Sequence, residues 1–159
     1  MRFSLTNAVA AALTLFGTAA ALTTGPFYIT IVPEDGSAAY PATIATVSRG
    51  AQILSSALTY DTEFIFNVTA DRLVKAAETN LALGSGALTV GAPLLFAQTT
   101  GAALAQVTIS GETYLVQSGT TDINQWWSSP TTTGLPVEVD WEGPGSDGAN
   151  AALRIDLTV

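Results

Sequence analysis

Residues 27–36 read FYITIVPEDG. Phe27, Ile29 and Ile31 alternate with Tyr28, Thr30 and Val32, and all six are aromatic or β-branched. A period of two in such residues marks a strand with one face packed on a core. Pro33 removes a backbone donor, and Glu34-Asp35-Gly36 supply turn chemistry, so the strand is predicted to end there.

The same pattern recurs outward from this stretch. Thr43 to Val47, Gln52 to Leu58, Glu63 to Val68, Arg72 to Ala76 and Asn80 to Leu83 read as further strands. So do Leu88 to Val90, Leu94 to Ala97, Gln125 to Ser128, Val137 to Trp141 and Leu153 to Val159. Ala105 to Ser110 and Thr113 to Gln117 flank Gly111-Glu112, which reads as a hairpin turn. About a dozen short strands at regular spacing predict a single all-β domain. Asp71 to Leu83 is the one stretch with helical character, and two strands are the preferred reading there. Strand-like segments begin at Phe27, Phe64 and about Gln106, at intervals of roughly forty residues. Three such units of four strands would make a β-trefoil-like barrel, the favoured architecture. The long first and last strands suit a barrel whose ends meet. A β-sandwich, jelly-roll or immunoglobulin-like, is the alternative.

The N-terminus carries a different signal. Arg2 is followed by an apolar run from Ala8 to Phe16 and by Ala19-Ala20-Ala21. This is the order of a secretory signal peptide, with cleavage expected after Ala21. Residues 22–159 then form one extracellular domain. The last seven residues, Leu153 to Val159, are too short and polar for a membrane anchor.

Composition excludes several chemistries. The 159 residues contain no His and no Cys. A Ser-His-Asp triad, a Cys nucleophile and the usual zinc or iron–sulfur ligand sets are therefore excluded, and no cofactor or metal is expected. A secreted chain without Cys has no disulfides, so core burial must hold it together. The formal charge is −8, with 13 acidic and 5 basic residues. That balance argues against nucleic acid, because phosphate contacts need Lys and Arg. Once Arg2 is removed the basic residues are Arg49, Arg72, Lys75 and Arg154, too scattered to form an anion-binding patch.

Three groups of residues remain as candidates. Glu138, Asp140 and Glu142 alternate with Val137, Val139 and Trp141, so on a strand the carboxylates share one face, neighbours roughly 7 Å apart. A solvated outer face is the preferred reading, with a weak calcium site involving residues 143–148 behind it. An acidic pair at that spacing would also suit a glycan hydrolase. Trp126 and Trp127 are adjacent and must point to opposite faces, one into the core and one partly exposed. The preferred reading packs both rings as core or interface residues; an exposed indole, beside Asn124, Gln125 and Ser128, is the best candidate for stacking on a sugar ring. The polar stretch from Ser128 to Gly134 reads as a lip beside it or simply as a linker. Asn67-Val68-Thr69 is an acceptor sequence for N-glycosylation at Asn67.

Taken in order, the PFYITIV strand, the EDG turn, DRLV, PLLFA, SGETYLV, NQWW and VEVDWEGPGSDGANAALRIDL resemble small secreted fungal cell-wall and surface-antigen proteins. Those proteins usually carry cysteines near the Trp segment and in the last loop. Here Ser128, Ser129 and Asn150-Ala151 stand in their place. The resemblance implies an extracellular, wall-associated, non-enzymatic all-β protein, and no catalytic residue carries over. The expectation is a secreted, non-catalytic β-domain whose partner is wall polysaccharide or another glycan, with neither nucleic acid nor membrane as partner. The alternatives are a small glycan-active hydrolase using the acidic residues, and a self-associating structural or effector-like surface protein.

Overall fold

The computed structural model describes residues 24–46, 52–56, 65–68, 74–76, 82–83, 88–97, 104–129 and 137–157. The expected signal peptide, residues 1–21, lies outside them, as does 130–134 of the expected lip. The protein is all-β, with no helix among the described residues. Its strands pair antiparallel in one 14-stranded sheet.

The FYITIV stretch forms β1 (Phe27–Pro33), with Phe27, Ile29 and Ile31 buried and the alternate residues half-buried. β1 pairs along its full length with the last strand, β14 (Ala151–Leu157), from Phe27↔Leu157 to Pro33↔Ala151. The first and last described strands therefore meet, as the regularity of both led one to expect. β1 also meets β2 (Tyr40–Thr46) and, at Phe27↔Phe66, β4 (Phe66–Val68). β4 continues through β5 (Val74–Ala76) and β6 (Ala82–Leu83), the two strands expected in place of a helix. β9 (Leu104–Ile109) and β10 (Glu112–Gln117) form the expected hairpin, and β10 pairs with β14. The turn residues are Ser110 and Gly111, one position earlier than expected, with φ of 54° and 88°. Positive φ at both positions matches the right-handed twist of the flanking strands, and Glu112 is freed to pair with Ile109. Among the described residues the sheet is not closed, and β7, β9 and β12 each have a single partner strand.

The core is one cluster. Phe66 stacks between Phe27 and Phe96, with ring centroids 6.2 and 6.1 Å apart. Leu54, Leu94, Leu115, Leu153, Trp126 and Val139 belong to the same cluster.

Three segments meet at a junction inside it. β3 (Gln52–Ser56), β7–β8 (Ala92–Pro93 and Leu95–Ala97) and β12–β13 (Val137–Glu138 and Asp140–Trp141) each pair one half with each of the other two segments. At the centres lie Leu54, Leu94 and Val139. Leu54 N donates to Leu94 O (2.8 Å), Leu94 N to Val139 O (2.9 Å), and Val139 N to Leu54 O (3.0 Å). A strand that changes partners in a core would strand a buried amide, which is costly. This closed cycle satisfies all three donors where the pairing switches.

Leu88 to Val90 differs from its expected strand. Val90 is 63% exposed in a turn, where Ala92 N donates to Thr89 O (3.0 Å) and Gly91 adopts φ 71°. The glycine beside the β-branched residue decides the conformation, since only it takes positive φ without steric cost.

Candidate functional site

The Trp pair lies on β11 (Trp126–Trp127), between β14 and β13. Alternation separates the two rings. Trp126 is fully buried and its Nε1 donates to Leu115 O (3.2 Å). Trp127 is half-buried. Gln125 is also fully buried. Its Oε1 accepts from Gln117 N (3.1 Å) and from Trp141 Nε1 (3.3 Å), and its Nε2 donates to Asp122 O. Its backbone carbonyl accepts from Glu142 N (2.8 Å) and Gly143 N (3.2 Å). Gln125 is thus the knot joining the 118–125 loop, β10 and the 142–143 loop, with its side chain turned away from solvent. Asn124 is half-buried, and its amide donates to Asp122 Oδ1 (3.0 Å). The other Asp122 oxygen accepts from Gly145 N (2.6 Å), which ties the two loops together. Of the four residues singled out in this segment, Trp127 and Asn124 retain exposed surface.

Trp127 is registered opposite Asp140, and Asp140 opposite Pro93. Directly opposed residues project from the same face, so an indole, a carboxylate and a proline ring form one row across β11, β13 and β7. Val139 and Trp141 are buried on the other face, as the alternation required. The reading of a solvated acidic face fits the exposed Glu138 but not Asp140, whose Oδ1 is buried without a hydrogen-bond partner. Trp127 and Pro93 stand on either side of it in the row. Burial, followed by the charges of Glu138 and Glu142, holds the Asp140 carboxyl above the usual carboxylate range. No three carboxylates come together to hold a metal ion among the described residues.

This shift has a sign. The folded state binds the Asp140 proton more tightly than the unfolded chain does, so ionising Asp140 disfavours folding. Stability is gained as pH falls through the raised folded value, and the gain is complete below the unfolded value of about 3.9. Asp140→Asn is expected to raise the melting temperature at pH 7. Its advantage over the wild type should shrink steadily as pH falls to 4. Parallel melting curves across that range would show that Asp140 is fully solvated.

A second concavity adjoins the end of this segment. A cleft of about 430 Å³ is lined by Pro33, Glu34, Asp35, Ser37 and Tyr40 from the β1–β2 connection and by Ser128, Ser129 and Asn150. Asn150 positions the second wall. Its Oδ1 accepts from Ser128 N (2.9 Å) and its Nδ2 donates to Ser128 O (2.9 Å), so its amide continues the strand pairing beyond β11. Its backbone carbonyl accepts from Glu34 N (2.8 Å), which brings the two walls together. Ser129 O accepts from Ser56 Oγ (2.7 Å). Tyr40 is 5% exposed, and burial raises its phenol above the ordinary value. The Ser128 hydroxyl stands beside the phenol and opposes that shift, yet Ser128 Oγ is outside hydrogen-bonding geometry with any partner. Asp35 Oδ1 accepts from Ser37 N (2.9 Å), and the Ser37 hydrogen bonds hold its carboxyl below the usual value.

Asn67 is half-buried in β4, paired with Lys75. Its Oδ1 lies so close to Gly25 that a Cβ built there would meet it at 2.9 Å. Thr69 of the acceptor sequence is outside the described residues. Arg154 is committed within the sheet, with Nε 2.9 Å from Asp156 Oδ1 and Nη1 3.0 Å from Glu112 Oε1.

Tyr40 and the cleft went unforeseen in the sequence. Ser128 and Ser129 had a signal, as the start of the expected lip. Nothing in the local pattern near Tyr40 pointed to them. Comparison with known protein families, characterised proteins and solved structures finds no match.

Proposed function

We propose that the chain is a secreted, non-catalytic β-domain of a fungal wall or extracellular surface that contacts glycan through the row Trp127–Asp140–Pro93. The observation that carries this reading is a half-buried indole registered beside a carboxylate oxygen that has no protein partner. A sugar ring offers both complements, a C–H face to stack on the indole and hydroxyls to donate to the carboxylate. The order of its sequence motifs, similar to that of small fungal wall and surface-antigen proteins, supports the setting. A hydrolase is the second reading, favoured by the raised Asp140 carboxyl. Against it, Glu138, Asp140 and Glu142 follow one another along one strand stretch instead of facing each other across a cleft.

The finer architecture we assign is a β-trefoil. Counting β7–β8 and β12–β13 each as one strand broken at its centre leaves a dozen strands among the described residues. The junction residues Leu54, Leu94 and Val139 recur at intervals of roughly forty residues, as three repeated units meeting on an axis would place them. The pairing of β1 with both β14 and β4 fits the same plan.

The test is retention on insoluble wall polysaccharides, glucan and chitin, with wild type and Trp127→Ala side by side. Retention should fall about two- to tenfold in the variant, the loss expected for one aromatic stacking contact of about 0.5–1.5 kcal/mol. Equal retention of both proteins would remove the row as the contact. Release of soluble reducing ends by the wild type, abolished in Asp140→Asn, would favour the hydrolase.

A further inference from the structure

The cleft between the β1–β2 connection and Ser128–Ser129 holds a feature that folding does not account for. Ser128 is 3% exposed and its Oγ has no hydrogen-bond partner. An unpaired buried hydroxyl disfavours the folded state, and most native proteins avoid one. This one lines the cleft beside the Tyr40 phenol.

We propose that this cleft is a binding site for a single neutral sugar residue, such as a chain terminus, with Ser128 Oγ and Tyr40 Oη at its floor and Glu34 and Asp35 at its rim. The inference rests on the glycan-contacting reading of the domain, but it uses residues distinct from the Trp127–Asp140–Pro93 row. The cleft, about 430 Å³, lies in the range of small-molecule sites. Its described lining contains no Lys or Arg, and two carboxylates stand at the rim, so anions are repelled. The two hydroxyls both donate and accept, and the carboxylates accept. A polyol is the neutral ligand that matches this set, since each of its hydroxyls also donates and accepts. Pro33 and Tyr40, which also line the cleft, supply apolar surface for its C–H groups. Asn150 is a positioning residue, because its amide is spent on holding the Ser128 backbone.

Backbone-amide NMR of the full mature protein tests this, with glucose, mannose, galactose and N-acetylglucosamine as probes. At least one sugar should give saturable shifts at the amides of Ser37, Ser128, Ser129 and Asn150. Ser128→Ala should weaken that binding about tenfold, the loss of one buried hydrogen bond. The variant should melt no lower than the wild type, because it deletes a hydroxyl that has no partner. Tyr40→Phe should weaken binding as well, while Trp127→Ala should leave it unchanged. The proposal is overturned if no sugar shifts these amides, if only calcium chloride or methylammonium does, or if Ser128→Ala binds as tightly as the wild type. Sugar-induced shifts confined to the Trp127 indole would overturn the cleft and leave the domain's glycan reading intact. Absence of binding to both sugars and wall polysaccharides would overturn that reading too.

Discussion

Trp126→Ala is expected to lower the free energy of unfolding by about 3–5 kcal/mol, while Trp127→Ala, one residue on, should lower it far less. Trp126 is 0% exposed and belongs to the core cluster that also holds Leu115, Leu153 and Trp141. Its removal leaves a void that the flanking strands cannot collapse into, because β11 is fixed on both sides by β13 and β14. It also removes the donor to Leu115 O. Trp127 has solvent on one side and gives up packing on one face only. Urea unfolding followed by circular dichroism separates the two variants, with the denaturant slope unchanged in both. Equal losses would mean that both rings are structural, and the proposed glycan row would then lose its aromatic platform.

The contrast between the two tryptophans marks how far local pattern reaches. Adjacent residues on a strand face opposite ways, so one ring in and one ring out is legible in the dipeptide Trp126-Trp127 by itself. Which ring goes inward depends on registers with Ala151 and Trp141 that no local pattern encodes. The same holds elsewhere. β1 and β14 are plain, because their alternation is long and unbroken. The switch of partners at Leu54, Leu94 and Val139 is not, since each residue reads as the middle of an ordinary apolar stretch. The cleft is the extreme case. Tyr40 and Ser128 come from distant parts of the chain, and the group that joins their walls is the amide of Asn150, which reads as a loop residue. Polar residues cause most of the misreading. Asn124 and Gln125 beside a Trp suggest a ligand, yet Gln125 spends its whole side chain on the fold.

Gln125 also carries the second large effect. Gln125→Leu keeps the approximate volume and removes the acceptor for Gln117 N and Trp141 Nε1, leaving one part-buried and one buried donor unpaired. At about 1–3 kcal/mol for each stranded group, the expected loss is about 3–5 kcal/mol, partly offset by the gain in apolar burial. Gln125→Glu discriminates hydrogen bonding from packing. An ionised carboxylate there still accepts both bonds, but it is buried and cannot donate to Asp122 O. Its protonated form restores that donor and is nearly isosteric with glutamine. The folded-state pKa of the introduced carboxyl should therefore rise above the unfolded value of about 4.3. The variant should be strongly destabilised at pH 7 and should recover toward the wild type as pH falls through that raised value, a recovery complete below about 4.3. Gln125→Leu carries no titrating group and should show no such recovery relative to the wild type. If Gln125→Glu fails to recover in acid, the Gln125 Nε2 bond to Asp122 O is not what stabilises the 118–125 loop.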